Sequence, residues 1–342
     1  MRCLALADAL RERGGRSIFV CREHPGHLLS LIRQRGHEVC ALPAGSDDSK
    51  ARRELRHAHW LGTDWATDAE QTRQALLAHN ADWLVVDHYA LDRRWEQAVR
   101  PRAGHIMVID DLADRTHDCD VLVDQNLGTT ETDYSDLLDS TTITLIGPRF
   151  ALLRPEFAQW REHSLTRRSH PHLKGLLISL GGVDNDNVTG KVLDALGRCE
   201  LPADLTITVV MGRHAPWLAQ VKTQAEVMQR PTEVLAGVSN MAELMANSDL
   251  AIGAAGGTAW ERCVLGLPTL VLILADNQRA GAEALRHAGV AVVLQNVDEV
   301  CRSLRSLLGN RMIDLQHMSR SAAALVDGAG ATRVVHKLLG SQ

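Results

Sequence analysis

No stretch of the 342-residue chain approaches the roughly 18 to 20 consecutive apolar residues needed to cross a bilayer as a helix. A membrane-spanning helix is therefore not expected. Nor does the sequence open on a secretory leader, because Met1-Arg2-Cys3-Leu4-Ala5-Leu6-Ala7-Asp8 meets charge too soon; a cytoplasmic location is the expectation. An excess of positive charge is also missing. Lys and Arg number 37 against 42 Asp and Glu, a net charge of -5, so bulk attraction to nucleic acid is not expected. The cluster Arg52-Arg53 and Arg56 reads as a solvated helix face. The seven cysteines, Cys3, Cys21, Cys40, Cys119, Cys199, Cys263 and Cys301, are odd in number and include no C-x-x-C pair. Reduced core thiols are expected rather than a disulfide frame or a zinc site. Finally, no glycine-rich turn runs into Gly-Lys-Ser/Thr, which argues against a nucleoside triphosphatase of the P-loop kind.

What the chain does have is length for two α/β domains and short apolar runs alternating with helical patterns, the signature of doubly wound sheets. Strands are predicted at 17–21, 38–42, 83–87, 106–110, 121–124 and 143–146 in the first half. In the second half they fall at 175–180, 206–211, 232–235, 250–253, 268–273 and 290–294. The polar, proline-bearing stretch 154–174 reads as a linker. The division is then 1–153, a linker 154–174, and 175–342, with the last helix expected to pack back on the N-terminal domain. The chain opens directly on an amphipathic helix, Arg2 to Arg13, stopped at Gly14-Gly15. A doubly wound domain ordinarily places a strand and a tight loop before its first helix.

Chemistry is signalled most strongly in the second half. The strand ending at Leu180 runs into Gly181-Gly182-Val183-Asp184 and then a helix from about Asn187. Two glycines there allow close backbone approach to a ligand, and a helix N-terminus offers unpaired N–H groups. Alone, this turn fits a plain strand-to-helix connection equally well. A second such turn favours a ligand: the strand ending at Gly253 is followed by Ala254-Ala255-Gly256-Gly257-Thr258 and a helix carrying Glu261. The small residues make room for a diphosphate, Thr258 adds a hydroxyl, and Glu261 sits one turn in, where a carboxylate can accept from two ribose hydroxyls. After the strand 268–273, Asp276 reads as a cap, and Asn277 and Gln278 as contacts to sugar hydroxyls.

In the first half, three successive strands end in polar residues: Asp87-His88-Tyr89, Asp110-Asp111, and Asp124-Gln125-Asn126. A strand-end aspartate is often only a turn former. Their repetition on one edge points to a hydroxyl-rich ligand.

With these residues in hand, the chain resembles the UDP-2,4-diacetamido-2,4,6-trideoxy-β-L-altropyranose hydrolases of pseudaminic acid biosynthesis over nearly its whole length. The resemblance rests on Met1-Arg2-Cys3-Leu4-Ala5-Leu6-Ala7, Val86-Asp87-His88-Tyr89, Ile109-Asp110-Asp111-Leu112-Ala113, Ser179-Leu180-Gly181-Gly182-Val183-Asp184 and Gly256-Gly257-Thr258-Ala259-Trp260-Glu261. Its most specific string is Gly147-Pro148-Arg149-Phe150-Ala151-Leu152-Leu153-Arg154-Pro155-Glu156-Phe157. It implies the GT-B fold, two Rossmann-like doubly wound α/β domains facing a central cleft, with no metal, no cofactor, no nucleic-acid or membrane partner, and a monomer. It further implies attack of water at the anomeric carbon, loss of UDP and inversion. Asp87 and Tyr89 would face the sugar, with Asn126 a further candidate. Gly181, Gly182, Gly256, Gly257 and Thr258 would hold the diphosphate beside Asp184, Glu261 the ribose, and Asn277 and Gln278 the sugar. Family members carry a strand and a Gly-x-Gly-His loop just before the Met-Arg-Cys-Leu helix, and that histidine is taken as the general base. Here the sequence begins at the Met. A general base contributes on the order of 10² to 10⁴-fold, so impaired turnover is expected of the chain as numbered, with His88 the nearest substitute and a mis-assigned start codon the favoured explanation. The alternatives are a GT-B glycosyltransferase using a UDP-amino sugar, and a UDP-binding protein without turnover.

Overall fold

The protein is described by a computed structural model covering residues 1–45, 55–309 and 312–340. Arg52 and Arg53 of the basic cluster lie outside these residues. Among the described residues there are twelve strands, β1 Ile18–Arg22, β2 Glu38–Leu42, β3 Ala81–Val86, β4 Ala103–Ile109, β5 Val121–Asp124, β6 Ile143–Ile146, β7 Gly175–Ser179, β8 Thr206–Met211, β9 Thr232–Ala236, β10 Leu250–Ala254, β11 Thr269–Leu272 and β12 Ala291–Leu294. Each corresponds to one predicted from sequence, with ends moved by a few residues. All pairings found are parallel. Parallel strands covered by helices on both faces need near-continuous apolar runs, and β10 and β11 are buried at every residue.

The chain divides into two units, Met1–Leu152 with Gly330–Gln342, and Leu153–Ala329. In the first, β4 sends Ile106 and Val108 to one face, where they pack with Val86, Trp95, Val99, Leu122 and Tyr134. Met107 and Ile109 point to the other face and meet Leu6, Val123, Val334 and Val335, the period-two alternation of a strand. The opening helix Arg2–Arg11 and the last helix Gly330–Leu338 thus share one apolar layer. Trp83 ties that layer down by donating its indole N–H to the Leu338 carbonyl at 2.8 Å. The strands of this unit form two sheets, β1-β2 and β3-β4-β5-β6. In the second unit one six-stranded sheet has the order β9-β8-β7-β10-β11-β12, with Leu176, Ile178, Leu193, Val209, Ile252 and Leu270 in its core.

Two expectations are corrected. Most of the stretch read as a linker is a helix, Pro155–Arg167, within the second unit. Pro155 supplies its first turn, where a missing N–H does no harm, and Phe157 and Ser164 are buried. Its arginines look like surface residues but serve as caps. Arg161 donates to the carbonyls of Ala323 and Val326 at 2.7 and 2.8 Å. Arg168 is buried and donates to Met245 and Ser248 carbonyls at 3.0 and 2.6 Å, satisfying acceptors at a helix C-terminus. Burial lowers the Arg168 pKa to about 10. The second correction concerns the cysteines. Cys199 and Cys301 form a disulfide within the second unit across 102 residues of sequence; Cys3, Cys21, Cys40, Cys119 and Cys263 are free. The partners are invisible in the spacing because Cys199, just past the helix Val188–Gly197, and Cys301, on the helix Glu299–Leu308, are remote in the chain.

Candidate functional site

In the second unit the chain steps outward from β7 to β8 and β9, then returns to add β10, β11 and β12 on the other side. The sheet order therefore reverses between β7 and β10, and open α/β sheets bind ligands at the carboxyl ends of the strands flanking such a reversal. Both glycine turns singled out above leave from these two strands, whose ends lie in register at Ser179 and Gly253.

The two turns differ in what they leave open. After β7, Gly181 adopts φ +105°, a conformation that L side chains rarely take. Asp184 follows with φ +48°. Its carboxylate accepts the backbone N–H groups of Val188 and Thr189, both at 2.8 Å, and Asn187 accepts that of Gly190 at 3.1 Å. The first donors of the helix Val188–Gly197 are thus taken by the chain's own side chains. This corrects the expectation that this helix N-terminus offers unpaired N–H groups, and it places Asp184 as a cap. A cavity of about 590 Å³ opens beside the turn, lined by Asp184, Asn185, Lys191, Leu274 and Asn296 among others.

After β10 the opposite holds. Gly257 enters the helix Thr258–Val264 with no side-chain cap. A Cβ built on Gly256 or Gly257 would meet nothing within 4 Å, and Gly257 has an ordinary helical φ of -54°. Neither packing nor backbone conformation requires glycine at position 257. Beneath the turn lies Arg262, which sequence reasoning did not single out. It is buried, donating to the Ala254 carbonyl at 2.6 Å and to Thr258 Oγ1 at 3.1 Å. Gly253 has no side chain because a Cβ there would fall 2.6 Å from the guanidinium. No carboxylate forms a salt bridge to Arg262 among the described residues, and burial lowers its pKa to about 10. A guanidinium only donates, so Thr258 Oγ1 accepts from Arg262 and its own proton is free to point elsewhere. The spacing of Thr258 and Arg262, four residues apart on one helix, was the signal available in the sequence.

Glu261 is half-buried, with Arg154 Nη2 3.7 Å from Oε1. Burial raises its pKa and Arg154 opposes the shift. Gln278 accepts the Leu274 N–H through Oε1 at 3.0 Å, and Asn277 is exposed in the 3-10 turn Asp276–Gln278.

The first unit gathers its own cluster at the ends of β3, β4 and β5. Arg2, on the opening helix, is paired with Asp87 at 2.7 Å and also with Asp111. Burial opposes its charge, but the two carboxylates prevail and its pKa is raised. Asp87 in turn is held below the usual carboxylate range, Arg2 outweighing the effect of burial. Tyr89 donates to Asp111 Oδ2 at 2.6 Å, and Asn126 donates to the Asp111 carbonyl at 2.9 Å. Asp87, Tyr89 and Asn126 are therefore brought to one place. His88 accepts the Ala90 N–H on Nδ1 at 3.1 Å, so when neutral it carries its proton on Nε2 and has no lone pair left for a water. Burial also lowers its pKa.

Beneath this cluster is a buried network. Asp110 accepts the N–H groups of Leu112 and Ala113, at 3.3 and 3.0 Å, and is paired with Arg115 at 2.8 Å. That cap holds Ala113 at φ +48°. Asp124 accepts the Asn126 N–H at 2.7 Å. The Tyr134 hydroxyl lies between the two carboxylates, 3.1 Å from Asp110 Oδ2 and 3.0 Å from Asp124 Oδ2.

Comparison with known proteins agrees with this geometry at a coarse level. Residues 177–331 match the glycosyltransferase family 28 C-terminal domain. An uncharacterized protein of Methanocaldococcus jannaschii is 27% identical over 283 residues, 81% of this chain and 53% of that protein. The UDP-2,4-diacetamido-2,4,6-trideoxy-beta-L-altropyranose hydrolase of Campylobacter jejuni is 23% identical over 209 residues, 61% of this chain and 72% of that protein. The crystal structure of MurG from Acinetobacter baumannii superposes with a TM-score of 0.69 at 17% identity, covering 99% of this chain and 95% of that one. The chain has the GT-B fold. It spans about half the length of the M. jannaschii protein it matches. The matches support a nucleotide-sugar-related protein and leave hydrolysis and glycosyl transfer equally open.

Proposed function

We propose that the protein hydrolyses a UDP-linked 2,4-diacetamido-2,4,6-trideoxy sugar. The observation that carries the nucleotide part is the open Gly256-Gly257-Thr258 turn over the uncompensated charge of Arg262, at the point where the sheet order reverses. A buried cation without a counter-ion is unfavourable unless an anion completes it. Backbone N–H groups, the Thr258 hydroxyl and Arg262 together suit a diphosphate, and Glu261 suits a ribose. The choice of sugar rests on the motif strings shared with the hydrolase family and on the relative from C. jejuni.

In this reading the C1–O bond to the β-phosphate breaks as a water oxygen bonds to C1 from the opposite face. Charge then grows on the leaving UDP, where the turn's donors and Arg262 stabilise it. Asp87, Tyr89 and Asn126 bind the sugar. The proton of the attacking water must pass to a base, and His88, with Nδ1 occupied, is not that base. Glycosyl transfer is the second reading, favoured by the family 28 match over 177–331. The two are separated by incubating the protein with the UDP-sugar and following UDP by phosphorus NMR. Release in the absence of any acceptor, with one water oxygen in the sugar product, supports hydrolysis. Release only when an acceptor is added refutes it, and failure to bind UDP at millimolar concentration refutes the nucleotide site.

A further inference from the structure

The chain has only two tyrosines. One, Tyr134, is buried, whereas Tyr89 stands at the end of β3 with two other rings beside it. His57 lies 5.7 Å from Tyr89 and 4.6 Å from Trp60, and Trp60 lies 5.8 Å from Tyr89, measured between centroids. Trp60 is nevertheless 47% exposed. It is presented on the 3-10 turn Ala58–Leu61, which Leu61 anchors in the core and Gly62 closes at φ +71°. With His57, His59 and Tyr89 against it and nearly half its surface exposed, the indole adds apolar surface next to Tyr89.

The polar groups next to this face define the chemistry of that ligand. Arg2 directs its donors at Asp87 and Asp111, and Tyr89 directs its hydroxyl proton at Asp111. What remains is acceptor capacity, on two carboxylates and the Tyr89 oxygen. Because the Arg2 donors are already taken by these carboxylates, the guanidinium is compensated and is not open to a phosphate or carboxylate. The complementary ligand is uncharged, rich in O–H or N–H donors, and apolar on one face. A pyranose ring with hydroxyl and acetamido groups has these properties.

We propose that Trp60, with His57 and Tyr89, forms the stacking wall of a sugar subsite whose polar floor is Arg2, Asp87 and Asp111, and that its ligand is a neutral amino-sugar ring. This rests on the nucleotide-sugar reading above and adds Trp60 and His57, which neither the motifs nor the family resemblance mark. The test uses the full chain and two ligands, UDP and UDP-2,4-diacetamido-2,4,6-trideoxyaltropyranose, titrated by calorimetry. The wild-type protein is expected to bind the UDP-sugar more tightly than UDP. Trp60→Ala is expected to reduce that preference at least tenfold while leaving UDP affinity unchanged, and Trp60→Phe to retain most of it. A preference that survives Trp60→Ala, a wild-type protein with none, or equal weakening of both ligands overturns the proposal. Absence of UDP binding by the wild-type protein overturns the nucleotide reading, and this subsite with it.

Discussion

Replacing Asp124 with asparagine should make the protein more stable than the wild type above neutral pH and not below pH 4. The Tyr134 hydroxyl has one proton but touches two carboxylates, at 3.1 and 3.0 Å. Both contacts are hydrogen bonds only if one carboxyl is itself a donor. Asp110 is not that one, since Arg115 outweighs burial and holds its pKa below the usual range. Asp124 is 1% exposed and pairs with no cation among the described residues. Burial, assisted by the charges of Asp111 and Asp110, raises its pKa from 3.8 to about 6. The relay therefore runs from Asp124 O–H to Tyr134, and from Tyr134 to Asp110. Because the folded-state pKa is the higher one, the folded state holds the proton more tightly than the unfolded chain. Its stabilisation is complete below pH 4 and is lost as pH rises through 6. A difference of about two units corresponds to about 3 kcal/mol. Asparagine donates through its amide at every pH and has no proton to lose. Urea unfolding of the two proteins, followed with the same probe at half-unit steps from pH 4 to 7.5, isolates this residue, since other titrations cancel in the difference. The stability of Asp124→Asn minus that of the wild type should climb by about 2.4 kcal/mol between pH 4 and 7.5, most of the full difference. A flat difference refutes the assignment of the proton to Asp124.

The remaining expectations concern the second unit. Gly257→Ala should leave stability unchanged or raise it by about 0.5 to 1 kcal/mol, because the site is open and helical; it should still weaken UDP binding at least tenfold by calorimetry, and unaltered binding would mean no ligand approaches that backbone. Arg262→Gln should weaken UDP far more than uridine, and equal weakening would show that Arg262 only supports the turn. Glu261→Ala should weaken both UDP and uridine by about 1 to 3 kcal/mol if the carboxylate holds the ribose, and unchanged affinities would make it a structural acid. Reduction of the Cys199–Cys301 bridge, which closes a loop of 102 residues in sequence separation, should lower stability by about 4.7 kcal/mol in the chain-entropy account; an intact mass that does not rise by two hydrogens on reduction would show that the bridge is not formed.

The sheet architecture was readable because it depends on local pattern. Strands buried on both faces must be mainly apolar runs, as 250–254 and 269–272 are, and Gly256-Gly257 after the first of them interrupts the pattern visibly. Side-chain partnerships across the chain were not readable, since no local rule links residues 85 or 102 positions apart. Arg2 to Asp87 and Cys199 to Cys301 are such cases. Arg161 and Arg168, inside the stretch read as a linker, are a related case. A charged residue in a polar stretch normally lies in water, and here each is recruited by carbonyls at distant helix ends.

The same consideration divides the two glycine turns, which look alike in sequence. Both offer a strand end, paired glycines and a following helix, so local pattern assigns both to the diphosphate. What separates them is whether the chain satisfies its own donors. Asp184 and Asn187 occupy the helix start after Gly182, whereas no side chain caps the helix after Gly257 and a buried cation lies beneath it. On the proposed reading, the anion-binding role would fall chiefly on Gly256, Gly257 and Thr258, with the Gly181 turn beside them. If the role were shared equally, alanine at Gly182 and at Gly257, both open positions, would weaken UDP to the same degree. The larger loss is expected at Gly257, and a larger loss at Gly182 on the same calorimetric scale would overturn this division of the site.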